Sequence, residues 1–296
     1  MIIVYGAYQL TFAISGSGAN DAAFLTSSQN MNDGRIGLVC SMKWISGTQG
    51  IGDYVDLTIT ISDPLDPTAA IGGVMVSNVV GLPAGLHLEV NSQVQVLTYN
   101  PLGELQATWL PALTGNTLVI RILNYNGITH PVAANQVFGI GEIVIGRAIS
   151  LPSLVSPSTG SAPSRVLNDP TAFTRVDSGS LYQCMRKPWD TYTATLGPFT
   201  TAQAYGGASS NIPSGGNPAG VIDISRLRGI LSTTPVCALC DFPSAGFGAG
   251  TLTNGIRYDQ SFMQPNWIVA RPTDPGAITV DQAPYSSWSP TFAKTA

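Results

Sequence analysis

A chain of 296 residues is too long for one ordinary core and suits two domains. Only 10% of the residues are charged and the net charge is -4, against an average charged fraction near ~25%. That balance excludes a basic face for nucleic acid. With 32 Gly, 21 Pro and three Glu, the composition argues against a helical protein, and a hydrophobic fraction of 44% argues against disorder. No run of about 18 apolar residues is present to form a membrane-inserted helix. The first residues, MIIVYGAYQLTF, carry no basic segment and no small-residue cleavage site, so a soluble, unprocessed chain is expected. A surface so poor in charge is either covered by partner subunits or built from neutral Ser, Thr and Gly.

In residues 1–29, Tyr5, Tyr8 and Phe12 point to an N-terminal arm or an edge strand. Asp33-Gly34 is a turn signal leading into a core strand over Ile36–Ile45 that includes Trp44. The clearest amphipathic strand is Tyr54–Ser62, with Val55, Leu57, Ile59 and Ile61 inward and Asp56, Thr58, Thr60 and Ser62 outward. Further strands are expected over Ile71–Val80, His87–Tyr99 (Leu88, Val90, Val94 and Val96 alternating), Leu105–Leu110 with Trp109, and Leu118–Leu123 with Arg121 outward. The first half is organised around Val137–Pro152, VFGIGEIVIGRAISLP. Its continuous run Ile143-Val144-Ile145 suits a strand covered on both faces. Gly139, Gly141 and Gly146 allow close approach of another backbone or a bulge, and Pro152 ends the pairing. Roughly seven or eight strands in about 115 residues, with turn signals between them, predict a β-sandwich of jelly-roll type over residues 30–150. The absence of a fixed repeat disfavours propellers and solenoids.

Residues 151–165 read as a linker, followed by a second β-rich α+β domain over 166–272 with one short helix. A strand is expected at Thr193–Leu196, and residues 205–219 read as a long exposed loop. Ile224, Leu227, Ile230 and Leu231 recur at helical spacing, which places the helix near 222–231 with Asp223 or Ser225 as its cap. PVCALCDF, residues 235–242, reads as a buried strand, 243–255 as a glycine-rich loop, and Arg257-Tyr258 and Asn266–Arg271 as a last pair of strands. Residues 273–296 read as an extended C-terminal tail. A tail with few large apolar side chains cannot offset about 1–2 kcal/mol of backbone entropy per ordered residue. Its aromatics Tyr285, Trp288 and Phe292 are therefore expected to anchor on a neighbouring subunit.

The residue types that carry chemistry are sparse. Cys237 and Cys240 have metal or redox spacing, but no second pair accompanies them, and residues three apart in a strand point to opposite faces. His87 and His130 are the only imidazoles, and no G-x-S-x-G elbow accompanies them. Asp63 and Asp66 could share a cation, yet each is followed by Pro, as in a plain turn. Gly139-Ile140-Gly141 precedes strand rather than helix and so does not cradle phosphate. Trp44 and Trp109 suit the core; Trp189, Trp267 and Trp288 could stack on sugars. No catalytic, cofactor-binding or metal-binding residue is nominated, and no enzyme activity or cofactor is expected.

The run Asn32-Asp33-Gly34-Arg35, a core strand with Trp44, the turn Ser62-Asp63-Pro64, then GEIVIGRAISLP at 141–152 and PWDTYTATL at 188–196, resembles the distal tail proteins of long-tailed bacteriophages. The resemblance implies a galactose-binding-like β-sandwich followed by a second β-rich domain. It implies a non-enzymatic virion component of the tail tip or baseplate, a homo-oligomeric ring between the tail tube and the hub, with the tape-measure protein as a further neighbour. A hexamer is favoured and a trimer is the alternative. A carbohydrate-binding module touching the host surface is the rival from another class, and a hydrolase requires a histidine or carboxylate pair converging in a cleft.

Overall fold

A computed structural model gives the fold. It describes residues 2–6, 9–17, 22–35, 37–44, 54–62, 71–99, 104–109, 115–123, 135–151, 164–168, 172–175, 181–184, 189–193, 195–206, 212–215, 221–234, 236–240, 267–282 and 285–294. Among these residues the chain is mainly β, as the composition requires, and its sheets are antiparallel.

The first half contains β1 (Ile2–Tyr5), β2 (Gln9–Gly16), β3 (Ala22–Phe24), β4 (Cys40–Trp44), β5 (Tyr54–Ser62), β6 (Gly73–Val80), β7 (His87–Val90), β8 (Gln93–Val96), β9 (Thr98–Tyr99), β10 (Leu105–Trp109), β11 (Thr117–Leu123) and β12 (Val137–Ser150). A five-stranded sheet in the order β2-β5-β11-β7-β8 packs on strands β4, β12, β6 and β10. The alternation of β5 creates half of that core: Val55, Leu57 and Ile59 are fully buried and Ile61 nearly so, while Thr60 and Ser62 face water. Leu118, Ile120 and Ile122 line up with them on β11. Trp44 and Trp109 fill the opposite layer. This is the expected sandwich. The expected strand at Ile36–Ile45 begins later, at Cys40, and the single strand expected over His87–Tyr99 is a hairpin. Asn91 and Ser92 turn it with φ of 50 and 65, the left-handed pair that a two-residue hairpin loop demands.

The second half contains β13 (Ser164–Asn168), β14 (Ala172–Arg175), β15 (Leu181–Cys184), β16 (Trp189–Thr193), β17 (Leu196–Thr200), α1 (Thr201–Tyr205), β18 (Ile212–Gly215), β19 (Val221–Ile222), α2 (Ile224–Thr233), β20 (Cys237–Cys240), β21 (Trp267–Asp274), β22 (Ile278–Gln282), β23 (Tyr285–Trp288) and β24 (Thr291–Lys294). Asp223 caps α2 by accepting the Arg226 N–H at 2.6 Å, and Ile224, Leu227 and Leu231 bury its inner stripe. The expected single helix has a companion. α1 starts with a reciprocal capping box in which Thr200 accepts from Gln203 N–H and Gln203 accepts from Thr200 N–H. Part of the loop expected at 205–219 is strand, because Ile212–Gly215 pairs with both β12 and β19. Residues 243–255 and Arg257-Tyr258 lie outside the described residues.

Two expectations about the chain ends are corrected. Ile2–Tyr5 is neither arm nor edge: β1 is an interior strand, hydrogen-bonded to β12 on one side and β20 on the other. Within residues 1–29 the strands with one described partner are β2, on β5, and β3, on β4. Residues 273–296 are not an extended tail, since β22, β23 and β24 are woven into the second half. One sheet therefore runs β13-β16-β24-β21-β20-β1-β12-β6-β10-β9 through both halves. Ile143 and Ile145 belong to the sandwich core, and Ile149 to the second core. Val144 and Ala148 turn to the other face, against Val4, Val236, Ala238 and Trp267. Thus β12 is covered on both faces, as its apolar run requires. Gly146 is needed where β1 crosses, because a Cβ there would collide with the Tyr5 carbonyl oxygen.

Candidate functional site

The three aromatics expected to anchor on a neighbour are not gathered on the surface. Trp288 and Phe292 are fully buried in the subunit's own second core, with Leu196, Phe199, Leu227 and Leu231. The Trp288 indole N–H donates to the Pro275 carbonyl at 2.6 Å, which satisfies its polar edge. Only Tyr285 remains exposed, at 49%. The expectation failed because it treated residues 273–296 as lacking partners. The four residues of β23, Tyr285-Ser286-Ser287-Trp288, instead find them across the ladder in β17 and β22.

The structure brings together two stretches that the sequence keeps apart. Glu142 in β12 is fully buried, and its Oε2 accepts the Gly34 N–H at 3.1 Å. Asn32 donates from Nδ2 to the Ile143 carbonyl at 3.5 Å. The Asn32-Asp33-Gly34 turn thus lies over the middle of the strand that joins the two cores. Gly34 has φ of 76, and a Cβ there would lie 3.2 Å from both the Arg271 guanidinium and Val236. The turn therefore also touches β21 and the residue before β20, from the second half. Burial pushes the Glu142 carboxyl up to about 9, the nearby Asp33 charge adds to this, and the Gly34 hydrogen bond opposes it. At neutral pH the group is a neutral acid. Its Oε1 and the Oγ of Ser77, its partner across the β12–β6 ladder, are buried without hydrogen-bond partners among the described residues. This is a structural lock between sequence-distant segments.

A second polar feature lies on the outer face of the five-stranded sheet. Arg121 is flanked in register by Asp56 on β5 and Glu89 on β7. It donates from Nε and one terminal nitrogen to both Asp56 oxygens, at 2.8 and 2.9 Å, and stacks 3.8 Å from the Tyr54 ring centroid. The Asp56 bond raises the guanidinium further above its ordinary range. Asn91, Ser92 and Thr117 join these residues around an open cleft of about 300 Å³.

The sequence matches no family model, no curated protein and no solved structure.

Among the described residues no group of three or more His, Cys, Asp or Glu is placed to hold a metal ion. Cys237 is a buried free thiol whose proton is held far more tightly than usual by desolvation, and it donates to the Ala270 carbonyl at 3.4 Å. Cys240 pairs across the same ladder with Trp267. His87 is half-buried in β7, while His130, Asp63 and Asp66 lie outside the described residues. Trp44, Trp109, Trp267 and Trp288 are all buried, which removes them as sugar platforms. Sequence reasoning placed Glu142 in a strand but missed its burial. The signal was available: one of only three Glu stands between apolar residues in the most apolar strand.

Proposed function

We propose that the chain is a non-enzymatic structural component of a bacteriophage tail tip or baseplate, a subunit of a ring between the tail tube and the hub, with a tape-measure protein beside it in the virion. The observation that carries this reading is the single sheet that runs through both cores, with β1 and β12 at its centre and the Glu142–Gly34 lock across it. Hydrogen bonds between the halves, rather than a flexible hinge, make a subunit that transmits load. The scarcity of charge and the exposed Leu25, Val80, Val94, Val96, Tyr99 and Val137 supply neutral and apolar surface for contact with other subunits. Rotationally related contacts of one subunit type close into a ring, for which six-fold order is favoured and three-fold is the alternative. Light scattering on the purified protein tests this. A mass of three or more subunits of 30.9 kDa is expected, and a single-subunit mass at every concentration overturns it.

The cleft at Asp56, Glu89 and Arg121 favours a second reading, a carbohydrate-binding module. Carboxylate, amide and hydroxyl groups around one open cleft suit a polyol. Calorimetric titration with mono- and oligosaccharides decides it. Saturable heat that is lost in Asp56→Ala supports the module, and no heat with any sugar removes it.

A further inference from the structure

The outer face of the five-stranded sheet carries one carboxylate that the described fold does not use. Asp56, Arg121 and Glu89 stand in register on β5, β11 and β7, and directly opposed residues share a face. Arg121 commits Nε and one terminal nitrogen to the two Asp56 oxygens. Among the described residues Glu89 joins no ion pair and accepts no side-chain hydrogen bond. The Asp56 bond dominates the hold on the Arg121 proton, and the Glu89 charge contributes least to it.

The cleft of about 300 Å³ lies beside this row. Its lining holds two carboxylates and one guanidinium, so one negative charge is uncompensated. The other polar groups of the lining are neutral: the Asn91 amide and the Ser92 and Thr117 hydroxyls. Val119 lies between Arg121 and Thr117 along β11 and faces the same way, 36% exposed. It adds an apolar surface to the cleft.

That set discriminates among ligands. A simple cation such as a lysine side chain would use Glu89 and leave the neutral groups idle. A neutral sugar would use the amide and hydroxyls and leave Glu89 unpaired. An acidic sugar would meet a carboxylate of its own sign. A sugar ring with a free ammonium group uses the whole lining. Its hydroxyls suit Asn91, Ser92 and Thr117, its C–H face suits Val119, and its ammonium suits Glu89.

We propose that the cleft takes an amino sugar with a free ammonium group, and that Glu89 is the residue that selects it. This rests on the carbohydrate reading of the same cleft and narrows it to one sugar class. The ammonium donates to the Glu89 carboxylate. The Arg121 N–H groups that Asp56 does not occupy donate to a ring hydroxyl, and Asp56 holds Arg121 in place. One chain supplies every group, from β5, β7, β11 and the turn after β7, so a free subunit and a ring bind alike.

Calorimetric titration of the full chain with three matched tetrasaccharides tests it. Oligomers of glucosamine, N-acetylglucosamine and glucose in one linkage differ only in a ring substituent: ammonium, acetamide or hydroxyl. In mildly acidic buffer, where the amine is charged, the glucosamine oligomer is expected to bind about tenfold tighter than the other two. Added salt is expected to shrink that preference. In Glu89→Gln the ratio of glucosamine to glucose affinity is expected to fall to about one, and in Glu89→Asp to stay above it. Equal affinities for the three oligomers in the unmodified chain overturn the proposal and leave the carbohydrate module standing. An unchanged ratio in Glu89→Gln overturns it too. So does tetralysine that binds as tightly as the glucosamine oligomer and loses as much in Glu89→Gln, because the site then reads charge alone. No heat with any of the three removes the module and the proposal together. If Glu89→Gln does not fold, the ratio in the unmodified chain and its comparison with tetralysine decide.

Discussion

Glu142 is the residue at which the physics of the fold is most exposed. Its folded value of about 9 lies above the ordinary 4.5, so the folded state holds the proton more tightly than the unfolded state. Stability from this group is complete below about pH 4.5 and is lost progressively as pH rises toward 9. Glu142→Gln keeps the shape and the acceptor for Gly34 N–H but cannot ionise. It is expected to flatten the fall in stability between pH 5 and 9, with a gain on the order of a few kcal/mol at the alkaline end. Urea titrations at pH 5, 7 and 9 check this; parallel profiles for the two proteins would show that Glu142 holds its proton no more tightly in the folded state than in the unfolded one, against the raised value. At a purely apolar position the expectation is simpler. Ile59→Ala removes a fully buried side chain from the sandwich core and is expected to cost about 2–5 kcal/mol, read from the denaturation midpoint. A cost below about 1 kcal/mol would place Ile59 outside the packed core.

Among the elements, β23 and β24 change the reading of the C-terminus. With Trp288 and Phe292 at the centre of the second core, removal of residues 273–296 is expected to unfold that half rather than merely weaken assembly. Circular dichroism and limited proteolysis of the truncated protein check it. A native spectrum and intact resistance would return these residues to the role of an assembly tail. What was legible in the sequence follows the same division. Strand β5 was readable because alternation and burial coincide residue by residue, and α2 because Ile224, Leu227 and Leu231 repeat with a capping Asp. The placement of β1 was not readable, since its four residues carry too little pattern to reveal two ladder partners far along the chain. Likewise the Glu142–Gly34 contact spans 108 residues and arises from tertiary packing alone. Val94 and Val96 alternate correctly, and only the register against β7 reveals that they face water.

At the scale of the whole molecule, two cores share one sheet, and the neutral surface leaves apolar side chains on several strand ends. Such a subunit is rigid across its middle and suited to contacts at its edges. Whether such subunits assemble into a ring is decided by electron microscopy of the purified protein. Closed rings with six-fold rotational symmetry are expected in end-on averages, or three-fold in the alternative. A uniform field of single particles of one 30.9 kDa subunit, at concentrations where light scattering also gives one subunit, would contradict it.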